Sequence, residues 1–446
     1  MKIEGWLSTA AQAVPDHAAL VSAEETLSYG ELDERARAAA RRLATLGVGR
    51  GDRVALCLEP TADYVVLLHG LTKLGAIAAP LDTRLTENEL EPLLGGLEPR
   101  LVIRELSEVR EASEAEGVDL DEDIETEDAH CVIHTSGSGG RPKPVELTYG
   151  NHLWNAIGSG VRIGVAPTDM WLCCLPLHHI GGLAIVLRSA LYRTAVALEP
   201  FDPARIAERL AAHPVTIISL VPTMLARLLD AGTDLAALRC VLLGGGPAPA
   251  MLVDRALAAG ARVTPTYGLT EAASQVTTMS PGEASRKAGS AGPPILTTEV
   301  RIEDGLICVR GPSVADDEVG EDGWLRTSDL GRLDEDGYLY VLGRRDEVIV
   351  SGGENVSPEE VERVLLEHPG VADAGVAGVD DPEWQQAVVA SVVVVDGTEP
   401  SEAELRDFCR DRLAGFKVPK SIAFVSELPR NEQGKLLRRN LTKRPS

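Results

Sequence analysis

The sequence predicts an α/β fold: a large N-terminal α/β domain with parallel sheets and a small β subdomain, then a small C-terminal α+β domain. Three observations predict it. Short apolar runs alternate with amphipathic stretches from the start of the chain to about residue 280, the rhythm of strand–helix–strand units. From about 290 to 343 that rhythm gives way to short strands punctuated by Gly and Asp. Beyond about 346, two Ser-capped helical patterns flank one unbroken β run. At 446 residues the chain is too long for one ordinary core. The expected division is 1–345 and 346–446.

In chain order, Ser28 opens a helix through Leu46 whose apolar face is Ala36, Ala39, Ala40 and Leu43. Arg53–Leu58 and Gly75–Leu81 read as strands around a helix at 62–74. Residues 105–128 hold twelve acidic side chains against one Arg and read as a solvated excursion. Cys131-Val132-Ile133 is a buried strand. Met170–Leu175, Val215–Val221 and Arg239–Leu243 are further strands, the last ending in Gly244-Gly245-Gly246. Turns at the carboxyl ends of parallel strands are where ligands usually bind. Pro358–Leu366 is a helix with Ser357 as N-cap, Ala387–Val395 a strand, and Ser401–Leu413 a helix with a Ser401/Glu404 capping box.

The net charge of −25 argues against a nucleic-acid or anionic-membrane partner. No apolar run approaches the roughly 20 residues that span a bilayer, and the N-terminus lacks the apolar core of a signal peptide. A cytoplasmic protein is expected. Only eight of the 43 basic residues are Lys. Excess acid with scarce Lys fits adaptation to high salt, and a GC-rich genome gives the same bias. The seven cysteines are scattered and form no C-x-x-C pair, so structural thiols are expected rather than zinc.

The chemistry centres on His134-Thr135-Ser136-Gly137-Ser138-Gly139-Gly140-Arg141-Pro142-Lys143-Pro144. Hydroxyls donate to phosphate oxygens, glycines let backbone N–H groups approach an anion, and Lys143 adds a point charge. A plain Gly/Ser surface turn is the alternative reading of these residues alone. A Walker A loop is excluded, because Pro144 disfavours a helical residue at Lys143. The stretch resembles the phosphate-binding signature of the adenylate-forming superfamily of acyl-CoA synthetases, luciferases and adenylation domains. Gly139 stands where that family has Thr, and Pro144 where it has Gly.

Four further stretches fall in that family's order. Tyr267-Gly268-Leu269-Thr270-Glu271 resembles the motif whose tyrosine packs on adenine, whose threonine contacts phosphate and whose glutamate binds Mg²⁺. Gly244, Gly245 and Gly246 resemble the backbone on the other side of the adenine. Gly323–Asp329 resembles the stretch whose aspartate, here Asp329, accepts both ribose hydroxyls, with Ser328 where the family has Gly. In Gly343–Pro358 the resemblance makes Arg344 a ribose and phosphate contact, Asp346 the hinge of a mobile C-terminal domain, and Gly352-Gly353 part of the CoA pantetheine channel. In Pro429–Leu436 it makes Lys435 the lysine that bridges the attacking carboxylate and the α-phosphate.

The resemblance covers nearly the whole chain. It implies an ATP-, Mg²⁺- and CoA-using ligase, with Lys435, Glu271 and Lys143 catalytic. A carboxylate attacks the α-phosphorus, giving acyl-AMP and pyrophosphate, and a thiol then displaces AMP. Pro80–Leu85, Leu175–Leu183, Val221–Leu225 and Glu271–Gln275 resemble the branch of the family that ligates o-succinylbenzoate to CoA in menaquinone synthesis. That implies His179, Ser274 and Gln275 beside the acid, with Ser274, Gln275 and a protonated His179 as donors to its second carboxylate. His178 replaces the aromatic residue common at its place. The other readings are a ligase for another acid, an enzyme loading a carrier protein, and a nucleotide-binding protein without turnover. Oligomeric state is not legible.

Overall fold

The computed structural model describes residues 1–120, 123–136, 142–246, 248–351, 354–381, 384–431, 434 and 436–441. Gly137, Ser138, Gly139, Gly140, Gly352, Gly353 and Lys435 lie outside the described residues, as does the side chain of Asp346.

The predicted rhythm becomes two sheets. One has eight strands in the order Ser274–Thr278, Val263–Leu269, Cys240–Leu243, Ile217–Leu220, Met170–Cys173, Ala195–Leu198, Ala18–Val21, Thr26–Ser28. Its interior pairs are parallel and its two edge pairs antiparallel. Four of the interior strands are buried at every position, nearly all of it apolar, because helices cover both faces. The second sheet runs Leu101–Ile103, Arg53–Leu56, Ile77–Pro80, Ala129–Ser136, Pro142–Thr148, with only the last pair antiparallel.

The helix Tyr29–Thr45 starts where the sequence places it. Ser28 accepts from the Glu31 N–H, and Glu31 reaches back to the Ser28 N–H. Its Ala36, Ala39 and Ala40 are buried against the helix Ala62–Leu74, where Gly70 leaves room for them. The acidic stretch 105–128 is more than a solvated excursion. Asp123–Glu125 pairs antiparallel with Lys2–Glu4, and Ile124 and Val109 are buried. Leu106, Val118 and Leu120 also pack against the core, so the apolar side chains among the carboxylates dock it.

A four-stranded antiparallel sheet follows: Glu299–Glu303, Leu306–Arg310, Leu325–Leu333 and Leu339–Arg344. The short 3-10 turn Arg345–Glu347 leads from it to the last unit. There Glu354–Val356, Ile349–Ser351, Gln385–Val394 and Val371–Asp381 form a sheet, with Ser421–Phe424 added in parallel. This unit has its own apolar cluster, from Ile349 to Ile422. Two capping expectations change. Ser357 sits at the N-cap of Pro358–Leu366, but its hydroxyl donates to the Leu342 carbonyl and to Glu359 rather than accepting a helix N–H. The helix predicted to Leu413 is Glu402–Arg410; Ser401 accepts from the Glu404 N–H at 3.2 Å.

Candidate active site

The carboxyl ends of the parallel strands converge on one cleft. At one end of it, Val263–Leu269 presents Tyr267, and the antiparallel ladder places Asp329 directly opposite Arg344. Tyr267 Oη donates to Asp329 Oδ2 at 2.6 Å. Burial and the Asp329 carboxylate push the Tyr267 phenol well above its ordinary pKa, so it stays a donor. The Asp329 N–H donates to the Thr327 hydroxyl, which donates in turn to the Ile307 carbonyl. The predicted ribose and adenine contacts are thus brought together by two neighbouring sheets.

The turn after Tyr267 needs its glycine. A Cβ on Gly268 would lie 1.8 Å from the Ser274 carbonyl. Thr270 and Glu271 then form a short 3-10 turn, and Ala273 and Ser274 take positive φ values of 53° and 113°. That backbone is braced by Asn155, whose buried amide donates to the carbonyls of Ala272 at 2.9 Å and Gln275 at 2.8 Å. Arg188 holds Asn155 from behind. Sequence reasoning missed both; they lie inside helical patterns with no local motif. Across the sheet end, Gly244 and Gly245 follow Cys240–Leu243, with Gly245 at φ 77°, and Gly246 is exposed.

Lys143 follows Pro142 in the strand Pro142–Thr148, and Thr135 is its register partner. Lys143 Nζ pairs with Glu318, a residue 175 positions away that no local pattern marks. Burial is the main cause of a raised pKa at Glu271, with the Glu318 and Asp329 charges adding and Lys143 opposing. Two further carboxylate charges act on Glu271 against that of Lys143, an excess of negative charge beside it where a polyphosphate is expected. A divalent cation resolves that excess, and a hard oxygen donor such as Glu271 suits Mg²⁺.

The acyl-side expectations fare differently. His179 caps Ile180–Tyr192 by position. Burial, with the neighbouring His178 adding, pushes its pKa down to about 3. A protonated His179 donor is therefore replaced by a neutral imidazole. Gln275 is 2% exposed; its amide donates to Thr278 Oγ1 at 3.0 Å, and its Oε1 is buried without a hydrogen-bond partner. The predicted donor is thus already used inside the protein. Ser274 is half-buried, and its register partner is Leu269.

A cavity of about 580 Å³ opens beside this region. Asp82, Arg84, His178 and Thr223 line one side, and Arg430 and Gly434 of the last unit the other. Gly434 (φ 72°) abuts Thr223: a Cβ there would lie 2.3 Å from its hydroxyl. The residue before Lys435 therefore reaches the main cleft. Arg430 holds that turn. Its guanidinium donates to the Gly434 carbonyl at 2.8 Å and to both Asp373 oxygens at 2.8 and 2.9 Å.

Among the described residues, His130, Cys131 and His152 bring three ligand-type atoms within 4.8 Å. Burial leaves the thiol protonated and the imidazoles neutral, and Cys131 Sγ and His152 Nε2 face each other at 3.4 Å in the core. All seven cysteines are free thiols, six of them buried.

Comparison with known proteins agrees with the geometry. A 2-succinylbenzoate–CoA ligase of Bacillus cereus is 40% identical over 98% of this chain and 97% of its own. The o-succinylbenzoate CoA synthetase of Bacillus subtilis, 36% identical, has been solved in several complexes. With the acyl-adenylate intermediate OSB-AMP the TM-score is 0.92, covering 100% of this chain and 99% of that one. With ATP and a magnesium ion it is 0.89, covering 99% and 100%. For a double mutant with the product analogue OSB-NCoA it falls to 0.75, at 100% and 99% coverage. Residues 7–317 match the AMP-binding enzyme family and 360–435 its AMP-binding enzyme C-terminal domain, so the chain belongs to the AMP-binding enzyme family.

Proposed function

We infer that the chain is an ATP-dependent acid–thiol ligase that activates o-succinylbenzoate as acyl-AMP, releases pyrophosphate and transfers the acyl group to CoA. The observation that carries this reading is near-full-length identity to 2-succinylbenzoate–CoA ligases, joined to a Tyr267–Asp329–Arg344 site shaped for a nucleoside. The reaction runs in the cytoplasm. No helix among the described residues is long and apolar enough to cross a membrane.

Tyr267, Gly244, Gly245 and Gly246 hold the adenine and Asp329 and Arg344 the ribose. Thr135–Gly140, Gly268, Thr270 and Lys143 hold the phosphates. ATP has to break the Lys143–Glu318 pair, so the lysine exchanges one anion for another. Glu271 would hold the Mg²⁺ that neutralises phosphate charge. The acid lies beside His179 and Ser274, with Gln275 in the wall rather than as a donor. Lys435 bridges the attacking carboxylate and the α-phosphate, so catalysis is positioning and charge stabilisation. The large domain ends at 345, Asp346 is the pivot, and Gly352 and Gly353 line the path of CoA in the rotated state.

The test is a panel of acids with ATP, Mg²⁺ and CoA, read for pyrophosphate and thioester. The highest kcat/KM is expected for o-succinylbenzoate. A higher value for benzoate or a medium-chain fatty acid overturns the substrate. Pyrophosphate without thioester points to a carrier-protein acceptor, and neither product points to nucleotide binding without turnover.

A further inference from the structure

We propose that His178 is the base that takes the proton from the incoming thiol, within an Arg84–Asp82–His178 chain that the cavity places opposite the nucleotide end of the cleft. The proposal rests on the ligase reading above and adds a residue and a step to it.

His178 stands where an aromatic residue is usual. It follows the strand Met170–Cys173 and lines the 580 Å³ cavity. Arg84 donates to both Asp82 oxygens at 2.9 Å, and the Arg84 N–H adds a third bond at 3.0 Å. This fixes the carboxylate and holds its pKa down. His178 Nε2 lies 3.7 Å from Asp82 Oδ2, buried and without a hydrogen-bond partner. The His178 ring packs edge-on to His179, centroid to centroid 4.2 Å. A carboxylate beside one ring nitrogen selects the tautomer protonated there and stabilises the imidazolium once formed. The lone pair is then on Nδ1.

Topology says what meets it. The nucleotide residues end the strands Cys240–Leu243 and Val263–Leu269; the cavity residues end Met170–Cys173 and Ile217–Leu220 of the same sheet. The leaving phosphate occupies the first pair of strand ends, so the thiol reaches the acyl carbonyl from the second. In the step, sulfur bonds to the carbonyl carbon and the carbon–oxygen bond to phosphate breaks. AMP leaves with that electron pair, and the thiol proton passes to His178 Nδ1 and then to solvent.

His178 is largely buried, and desolvation outweighs Asp82 and Glu59 to lower its pKa, with Arg84 also opposing the charged form. Among the described residues, Glu199, Arg227 and Arg430 are the other charged groups lining the cavity, and neutral His179 lies behind. Below its pKa the base is protonated and idle. The thioester step should therefore rise with pH to a plateau reached by about neutrality.

The experiment is single-turnover thioester formation from preformed acyl-AMP and CoA in His178→Phe, which restores the usual aromatic, and in Asp82→Asn. Loss of a general base costs about 10²–10⁴-fold. The expected result is a drop of at least about 10²-fold in His178→Phe and a smaller one in Asp82→Asn. In His178→Phe the rate should keep climbing toward the thiol pKa, about 8.5. Pyrophosphate release with acid and ATP should stay within about threefold. An unchanged thioester rate and pH profile overturns the proposal. So does an equal loss in both half-reactions, which marks a packing role. If the native enzyme releases no pyrophosphate with the acid, the ligase reading itself has failed.

Discussion

At the nucleotide end of the cleft, Tyr267, Asp329 and Arg344 are held by strand ladders and a chain of hydrogen bonds that ends on a backbone carbonyl. Among the described residues, the turn around Lys435 has one isolated bridge, Arg430 to Leu436, and two backbone bonds, Gly434 N–H to Asn431 and Leu437 N–H to Pro429; charged side chains add the rest of its hold. Arg430 clamps Asp373 and the Gly434 carbonyl, while Arg438 pairs with Glu347, Glu359 and Glu362. The first arrangement fixes a substrate that stays through both half-reactions. On the proposed reading, the second keeps a short turn rigid on a body that has to move as a whole. The TM-scores carry the same message. The fit is 0.92 to the acyl-adenylate complex and 0.75 to the product-analogue complex of one relative, at the same 36% identity. The present arrangement is closer to that of the acyl-adenylate complex than to that of the product-analogue complex.

The largest expected effect separates the two regions most sharply. Lys435→Ala should lower acyl-AMP formation by about 10²–10³-fold while thioester formation from supplied acyl-AMP largely survives. Equal losses in both assays would mean that the lysine acts in both arrangements. Arg430→Ala removes a charge-assisted clamp worth about 1.5–3 kcal/mol. It should slow adenylation roughly tenfold, at about 1.4 kcal/mol per decade, and leave the second half-reaction within about threefold; pyrophosphate and thioester assays on one preparation decide this. Tyr267→Phe deletes the bond to Asp329, about 1 kcal/mol. It should raise the KM for ATP about fivefold with kcat nearly unchanged; a drop in kcat alone would place the tyrosine at the transition state.

The smallest effect concerns both regions together. The chain carries a net charge of −25, and molar salt shortens the Debye length to about 3 Å. The melting midpoint should rise by a few degrees from dilute buffer to molar KCl. A midpoint that falls would show that clamps such as Arg430–Asp373 matter more than the repulsion.

The same contrast explains what was legible in the sequence. Among the proposed nucleotide contacts, Tyr267, Asp329, Arg344 and Gly244–Gly246 lie in or just after strands within contiguous motifs, because ladders are local and periodic. Lys143–Glu318, Asn155 bracing the Gln275 turn, and the Arg84–Asp82–His178 chain join distant segments, and no spacing rule announces them. Gln275 read as a donor because a glutamine after an active-site motif looks available. Its edge-strand neighbours Thr266 and Thr278 enclose it instead. The 105–128 stretch misled by composition: its carboxylates outnumber its apolar side chains, yet Val109 and Ile124, with Leu106, Val118 and Leu120, dock it.

On the proposed reading, one cleft serves two arrangements, and the present one is competent only for adenylation. Thr223 and Asn431 line the same cavity from the two units. Cysteines at both, bridged by a short bismaleimide after Cys57→Ser removes the half-buried native thiol, fasten the units as they stand. The bridged enzyme should release about one equivalent of pyrophosphate per site with o-succinylbenzoate and ATP, then stop, forming no thioester when CoA is added. Thioester turnover by the bridged enzyme at the rate of its unbridged parent would contradict that reading.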